Sequence, residues 1–280
     1  MDGTCFDPTE YGTDKAEYWT DYEREIGHLF GGHADVLELG IQDGFSLALW
    51  SDCFVSGAVC GIDLNPLPDP PGRARAYQGF QQDPEILDRV AHENAPDGFD
   101  LIIDDASHLG QYTAASFAYL WSQHLKPGGT YIIDDWSCAY WPDWPDGHKY
   151  TGDLSPLSVP PASGAARPPG LAETVRRRVR AAARPARVAL TAHPRLQQAA
   201  RAGYLRADRL TGTRRFPGHD WGTAGIVKRL IDLTAANSIT GPRGGHPGNA
   251  LPVHPITRTV VTPSQVFIHK ARVPGQDSRT

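Results

Sequence analysis

The chain has 280 residues, 40% of them hydrophobic, with a net charge of −5, enough for one large domain with a full core or two small ones. That charge excludes a global basic field of the kind that gathers nucleic acid, and no apolar run approaches the ~18 residues of a membrane span. The opening MDGTCFDPTEYGTDK has no basic start and no apolar stretch, so no signal peptide is expected, while Cys5, Cys53, Cys60 and Cys138 form no CxxC pair and are expected as free thiols in a reducing, cytoplasmic compartment.

Residues 15–30, KAEYWTDYEREIGHLF, place Tyr18, Tyr22, Ile26 and Leu29 on one stripe, which predicts a helix within a helical N-terminal segment over 1–34. DVLELG (35–40) is a short apolar run ended by Gly40, a buried strand followed by a turn. SLALWSDCF (46–54) predicts a helix, AVCGIDL (58–64) a strand, PLPDPPG a loop and RAYQG (75–79) a third short strand. DPEILDRVAHE (83–93) predicts a helix with Pro84 in its first turn. FDLIIDD (99–105) is a strand, QYTAASFAYLWSQHL (111–125) a helix closed by KPGG, and TYIIDD (130–135) the next strand. This alternation of helices with strands that are apolar on both faces predicts a mostly parallel sheet covered by helices on each side.

Residues 152–222 break the pattern. LSPLSVPPASGAARPPG is rich in Pro, Ala and Ser and predicts a loop. From Arg167 to Arg215 there are 13 arginines against Glu173 and Asp208, a balance of about +11 that leaves about −16 on the rest. With an acidic host and Tyr204 as the single aromatic among its arginines, this segment does not read as a nucleic-acid site. It is expected as a solvated helix face or a contact of a homo-oligomer. Leaving the chain just after YWPDWPDG, residues 152–222 are expected to form a lid or cap, with Tyr140, Trp141 and Trp144 offering flat apolar surface to a substrate. GTAGIVKRLIDLTAAN (222–237) predicts a helix, and RTVVTPSQVFIHKA (258–271) two strands across a TPSQ turn, an antiparallel pair that completes seven strands.

In open parallel sheets, ligands bind at the carboxyl ends of the strands. The first end reads ELGIQDGFS and offers Glu38, Gly40, Gly44 and Ser46. The glycines either let the backbone approach a ligand or simply make a tight strand–helix turn. Asp63 follows Gly40 by 23 residues, and an acid about 20 residues on is where a ribose diol is held. Gln81 and Asp83 of GFQQD are candidates for an adenine edge. The spacing G-x-x-x-G favours an adenosine with a non-phosphate tail over a pyrophosphate.

IIDDASH (102–108) and IIDDWS (132–137) drive two apolar runs into paired aspartates. If the two strands are neighbours, Asp104, Asp105, Asp134 and Asp135 crowd one rim, and such oxygen ligands suit Mg²⁺, Ca²⁺ or Mn²⁺. Side chains within each pair point to opposite faces, so all four cannot ligate together. His108 reaches the same spot as a base or a ligand. The competing view is that one Asp per pair caps the next helix and His108 is a surface residue.

Taken together, YGTDK, VLELGIQDGFSLALW, GIDL, FDLIIDDASH, LKPGGTYIIDDWSCAYWP and VFIHK resemble the macrocin O-methyltransferase family, which methylates sugar hydroxyls of macrolides and related natural products. The resemblance covers roughly residues 10–145 and 222–271. It implies a class I S-adenosylmethionine (SAM) methyltransferase fold, Rossmann-like, over residues 1–280, and a role in antibiotic biosynthesis as secondary metabolism. It also implies bound SAM, Mg²⁺ held by Asp105, Asp134 and Asp135, His108 as general base beside Asp105, and a small glycosylated acceptor. Thr13 and Asp104 join Glu38, Gly40, Gly44, Ser46, Asp63, Gln81 and Asp83 as expected cofactor contacts. Two departures stand out: Asp134 replaces the family's usual glutamate, and Phe80 its acid after the third strand. Alternatives with the same residues are a catechol or phenol acceptor, an NAD-type oxidoreductase, and a binding module without turnover.

Overall fold

A computed structural model describes residues 7–65, 67–141, 143–147, 221–240 and 255–272. The expected lid lies outside the described residues save for its last two, and so does Cys5. Among the described residues, seven strands form one sheet: β1 (Val36–Leu39), β2 (Val59–Asp63), β3 (Arg75–Gln78), β4 (Phe99–Asp104), β5 (Leu125–Asp134), β6 (Ile256–Val261) and β7 (Gln265–Lys270). Their order is β3-β2-β1-β4-β5-β7-β6, with β1 to β5 parallel and β7 antiparallel to both neighbours. The order in which strands are added to the sheet reverses between β1 and β4, the switch point where such sheets bind ligands. The helices are α1 (Trp19–Ile26), α2 (Phe45–Cys53), α3 (Pro84–Asn94), α4 (Gly110–Gln123) and α5 (Gly222–Thr240); none of them is long and apolar enough to cross a membrane.

The period of two along each strand sorts the core into two layers. Leu37, Leu39, Ile62, Ile102, Tyr131, Ile133 and Val266 face α3, α4 and α5, packing on Leu87, Phe117, Leu120 and Leu230. Val36, Val59, Leu101, Ile103, Ile132 and Phe267 face α1 and α2, packing on Trp19, Tyr22, Leu47 and Trp50. Both faces are covered, which is why these strands read as unbroken apolar runs.

Two elements differ from the sequence-based expectation. Residues 15–30 are not one helix: a 3₁₀ turn, Asp14–Tyr18, capped by Thr13, leads into α1, and a second, Gly27–Leu29, ends it. The buried stripe persists as Lys15, Trp19, Tyr22 and Ile26, so a lysine holds one position of an otherwise apolar face. KPGG does not close α4; it begins β5. Gly128 has φ of 83° and the β4–β5 register shifts between Phe99 and Leu101, so the glycines form a bulge. Lys126 Nζ anchors it, donating to Asp35 and Asp100 at 2.8 Å each.

The turn after β1 depends on Gly40. Its φ is 85°, and a Cβ there would overlap the Asp105 carbonyl and Ala106 Cα. The glycine is thus required by the neighbouring strand end as much as by any ligand. Gly40→Ala combines left-handed strain with overpacking and is expected to cost roughly 2–5 kcal/mol, read as a lowered urea midpoint.

Candidate active site

Register decides which acids meet. Asp104 of β4 pairs with Ile133 of β5, so the next residues on, Asp105 and Asp134, end side by side on the α1–α2 face. Opposed like charges destabilise a sheet unless a cation joins them. Here the cation is Lys15, brought in on the buried stripe of the N-terminal segment. Its Nζ contacts Asp105 Oδ2, lies 2.8 Å from Asp134 Oδ2 and 3.6 Å from Glu38 Oε1, and is 0% exposed. Burial works to lower this ammonium, but Asp134, then Tyr22, Asp105 and Glu38, hold it well above the usual lysine range. Burial pushes Asp105 well up, with Lys15 opposing and Asp134 adding to the rise.

Asp134 is fully engaged inside the fold. Oδ2 also accepts from Tyr22 Oη at 2.6 Å, and Oδ1 accepts from Gln265 Nε2 at 2.9 Å. Asp134 is expected as a metal ligand; in the structure its carboxylate, 0% exposed, lies among Lys15, Tyr22 and Gln265. The group that converges without it is Asp105, His108 and Asp135, with one ligand atom of each within 4.8 Å of the others. Two carboxylates and an imidazole on a partly exposed rim suit a divalent cation. His108 Nε2 is 3.7 Å from Asp105 Oδ1, and its buried Nδ1 has no hydrogen-bond partner among the described residues. Burial raises the Asp135 carboxyl and His108 opposes that rise.

Three non-glycine residues have positive φ among the described ones: Gln42 (43°), His108 (49°) and Asp135 (51°). All sit at strand ends on this rim. Such strain, of order 1–3 kcal/mol each, clusters where geometry serves function.

Beside the acids lies an open cleft lined by Gly12, Thr13, Asp14, Gly40, Gln42, Ser46 and Asp105, among others. Of the expected cofactor contacts, Thr13, Gly40 and Ser46 line it. Gly44, with φ of 80°, starts α2 immediately behind. Glu38 lies beneath, accepting from Ser46 Oγ at 2.6 Å, its carboxyl raised by burial against the pull of Lys15. Asp63 Oδ2 accepts from the backbone N–H groups of Ile41 (3.1 Å) and Gln42 (3.0 Å), so it shapes the cleft loop.

The structure employs three other expected contacts elsewhere. Asp104 faces the opposite layer, as its register requires, and accepts from Gln81, Ser116 and Tyr131. Gln81 is spent at both ends, donating to Asp104 at 2.9 Å and accepting from Ser107 N–H at 3.1 Å; it braces the loop that carries His108. Asp83 caps α3, accepting from Glu85 N–H at 3.1 Å. Among the aromatics, Trp144 lies 5.8 Å from the His108 ring and 6.4 Å from Trp141; Trp141 is 46% exposed. Tyr140 packs instead on Trp136. Sequence reasoning missed Lys15, Tyr22 and Gln265. The available signal was a lysine at helical spacing on the stripe of Trp19, Tyr22 and Ile26.

No family model matches the chain. It is 37% identical over 129 residues to the mycinamicin VI 2''-O-methyltransferase of Micromonospora griseorubida, covering 43% of this chain and 32% of that protein. It is 36% identical over 154 residues to the L-olivosyl-oleandolide 3-O-methyltransferase of Streptomyces antibioticus (47% and 39%). To the demethylmacrocin O-methyltransferase of Streptomyces fradiae it is 33% identical over 147 residues (49% and 36%). The chain is similar to sugar O-methyltransferases. The matches span about a third of the length of these curated relatives. Among solved structures, a methyltransferase from the mycinamycin pathway, bound to Mg, S-adenosylhomocysteine (SAH) and mycinamycin VI, superposes with a TM-score of 0.60 at 23% identity, over 99% of this chain and 58% of the other. A second form with Mg and SAH gives 0.62 at 22% identity, covering 99% and 59%. The fold is therefore the class I SAM-methyltransferase fold.

Proposed function

We propose that this chain is a SAM- and Mg²⁺-dependent O-methyltransferase acting on a sugar hydroxyl of a glycosylated natural product. The observation that carries the proposal is the convergence of Asp105, His108 and Asp135 at the mouth of the cleft built on Gly40 and Ser46. The names of the relatives support the acceptor class. When bound, a divalent ion would supply Lewis acidity and SAM the methyl group. Asp105 and Asp135 would hold the ion.

The chain's own residues supply the rest. An alkyl hydroxyl has a pKa far above 7, so its proton must leave as the new C–O bond forms. His108, whose buried Nδ1 has no hydrogen-bond partner among the described residues and whose Nε2 lies near Asp105, would take it. Trp144 and Trp141 would stack an acceptor ring beside His108. The loop from Gly40 to Gly44, braced by Asp63, would seat the cofactor so that the methyl group lies in line with the acceptor oxygen. An oxidoreductase has no comparable support here, since the rim presents acids rather than a pyrophosphate cradle.

The test is product mass and NMR after incubation with SAM, Mg²⁺ and a panel of glycosylated macrolides, with catechols as the contrasting arm. Methylation of catechols alone would replace the sugar assignment. Asp63→Ala is expected to weaken SAH by about 1.5–3 kcal/mol, the range for charged hydrogen bonds, because both the carboxylate and the loop it braces are lost. Unchanged calorimetric affinity would remove Asp63 from the site.

A further inference from the structure

We propose that Asp146 is a positioning residue for the transfer: from the turn WPDWPDG it caps α4, and so sets the Trp144 ring against His108. The proposal rests on the transferase reading above and adds to it a side chain that acts through two others.

Three observations carry it. First, α4 has no cap of its own. Leu109 stands at the N-cap position and has no side-chain acceptor. The Gly110 N–H donates instead to Asp146 Oδ2 at 2.9 Å, 36 residues on. Asp146 is 7% exposed, so this bond is shielded from water. Second, the bond closes a small ring of residues. Leu109 alone separates His108 from Gly110, and Pro145 alone separates Trp144 from Asp146; across the ring the two side chains lie 5.8 Å apart. The turn is itself folded shut, since Trp144 N–H donates to the Trp141 carbonyl at 3.0 Å and a Cβ on Gly147 would overlap the Trp141 backbone. Trp144 therefore moves with Asp146. His108 holds a left-handed backbone, which persists only where its surroundings over-determine it, and the cap two residues later is such a constraint. Third, α5 begins at the same point. A Cβ on Gly110 would overlap the Gly222 backbone, and Gly222 packs against the Asp146 side chain. The first residues of two helices thus lie against one carboxylate, the charge that a helix N-terminus prefers.

A cap that only stabilised α4 would lower the melting temperature and leave the kinetic constants alone, so the test separates the two roles. In protein without added ligands, at fixed pH, the His108 ring signals are followed by NMR and assigned by their loss in His108→Ala. Trp144→Leu should move them, because the neighbouring ring current is gone. Asp146→Ala should move them the same way. Asp146→Asn, which keeps an oxygen for the Gly110 N–H, should not. With the glycosylated macrolide methylated in the panel above, Asp146→Ala should raise the acceptor KM and lower kcat about 10–100-fold, the scale of a misplacement of about 1 Å. Its KM for SAM, and its Mn²⁺ affinity by electron paramagnetic resonance, should stay within about threefold of wild type, since neither belongs to the acceptor side. Asp146→Asn should recover most of both acceptor constants. Gly110→Ala keeps Asp146 but forces the two helix starts apart, and should reproduce the loss. Lys126→Met, at the opposite end of β5 from Asp134, should melt earlier with all constants unchanged, which shows what lost stability alone does. The inference is overturned if Asp146→Ala keeps wild-type His108 signals and acceptor constants, if Asp146→Asn is impaired as fully as Asp146→Ala, or if SAM and Mn²⁺ binding weaken in step with kcat. Wild-type protein that methylates no acceptor would overturn the transferase reading itself, while the His108 signals would still decide the role of Asp146.

Discussion

Removing divalent ions should abolish methyl transfer, and Mg²⁺ should restore it. The physical reason lies in charge density: Asp105, Asp134 and Asp135 share one rim, and Lys15 compensates only the inner part. Asp135 remains half-buried, and burial raises its carboxyl against the opposing pull of His108 and then Lys15. The same ion should stabilise the fold, because a ligand that binds only the native state adds about 2.7 kcal/mol at a hundred times its Kd. For a chain of this size that is a rise in Tm of roughly 5–10 °C, measurable without any acceptor. Asp135→Asn isolates the effect. Asparagine tolerates the left-handed backbone that Asp135 adopts at φ 51°, so the loop should keep its shape while both the Tm response and the activity disappear. Full activity in chelator-treated protein would sink the metal assignment, whatever the state of the fold.

How much of this could be read before the structure depends on which physical rule governs each residue. The strand ends were legible because parallel strands buried on both faces must be apolar until they stop, and IIDD stops twice. The antiparallel pairing of β6 with β7 followed from two strands joined by a short turn, whereas the place of β7 beside β5 did not. The fate of each aspartate was only half legible. The period of two says that Asp104 and Asp105 face opposite ways, but only the β4–β5 register shows that Asp105 meets Asp134 while Asp104 meets Tyr131, Ser116 and Gln81. Gln81 and Asp83 were assigned to the cofactor from their position after β3. Their tertiary partners were not legible: Gln81 accepts from Ser107 N–H, and Asp83 caps the N-terminus of α3. Lys15 was illegible because a lysine is ordinarily solvated; three carboxylates from three strands were needed to bury it. KPGG misled because glycines after a helix usually end it, whereas here they bend a strand.

His108→Ala should leave SAH and metal bound while turnover falls by about 10²–10⁴, the contribution of a positioned base. The partition between binding and turnover is the informative part, since loss of a metal ligand would lower both. Because His108 also belongs to the group that converges with Asp105 and Asp135, Mn²⁺ affinity must be measured in the same variant. Retention assigns His108 to the proton; loss of affinity in step with turnover assigns it to the ion. Imidazole added to the alanine variant should recover part of the rate if the missing function is proton transfer. Backbone strain gives an independent check. His108 holds φ of 49°, a conformation costing a non-glycine residue about 1–2 kcal/mol. His108→Gly relieves that strain, so this variant should be at least as stable as wild type in urea and yet nearly inactive. A residue kept only for structure would not be improved by its own deletion. If His108→Gly is instead markedly destabilised, the ring's contact with Trp144 is what the fold requires, and the base must be sought at Asp105.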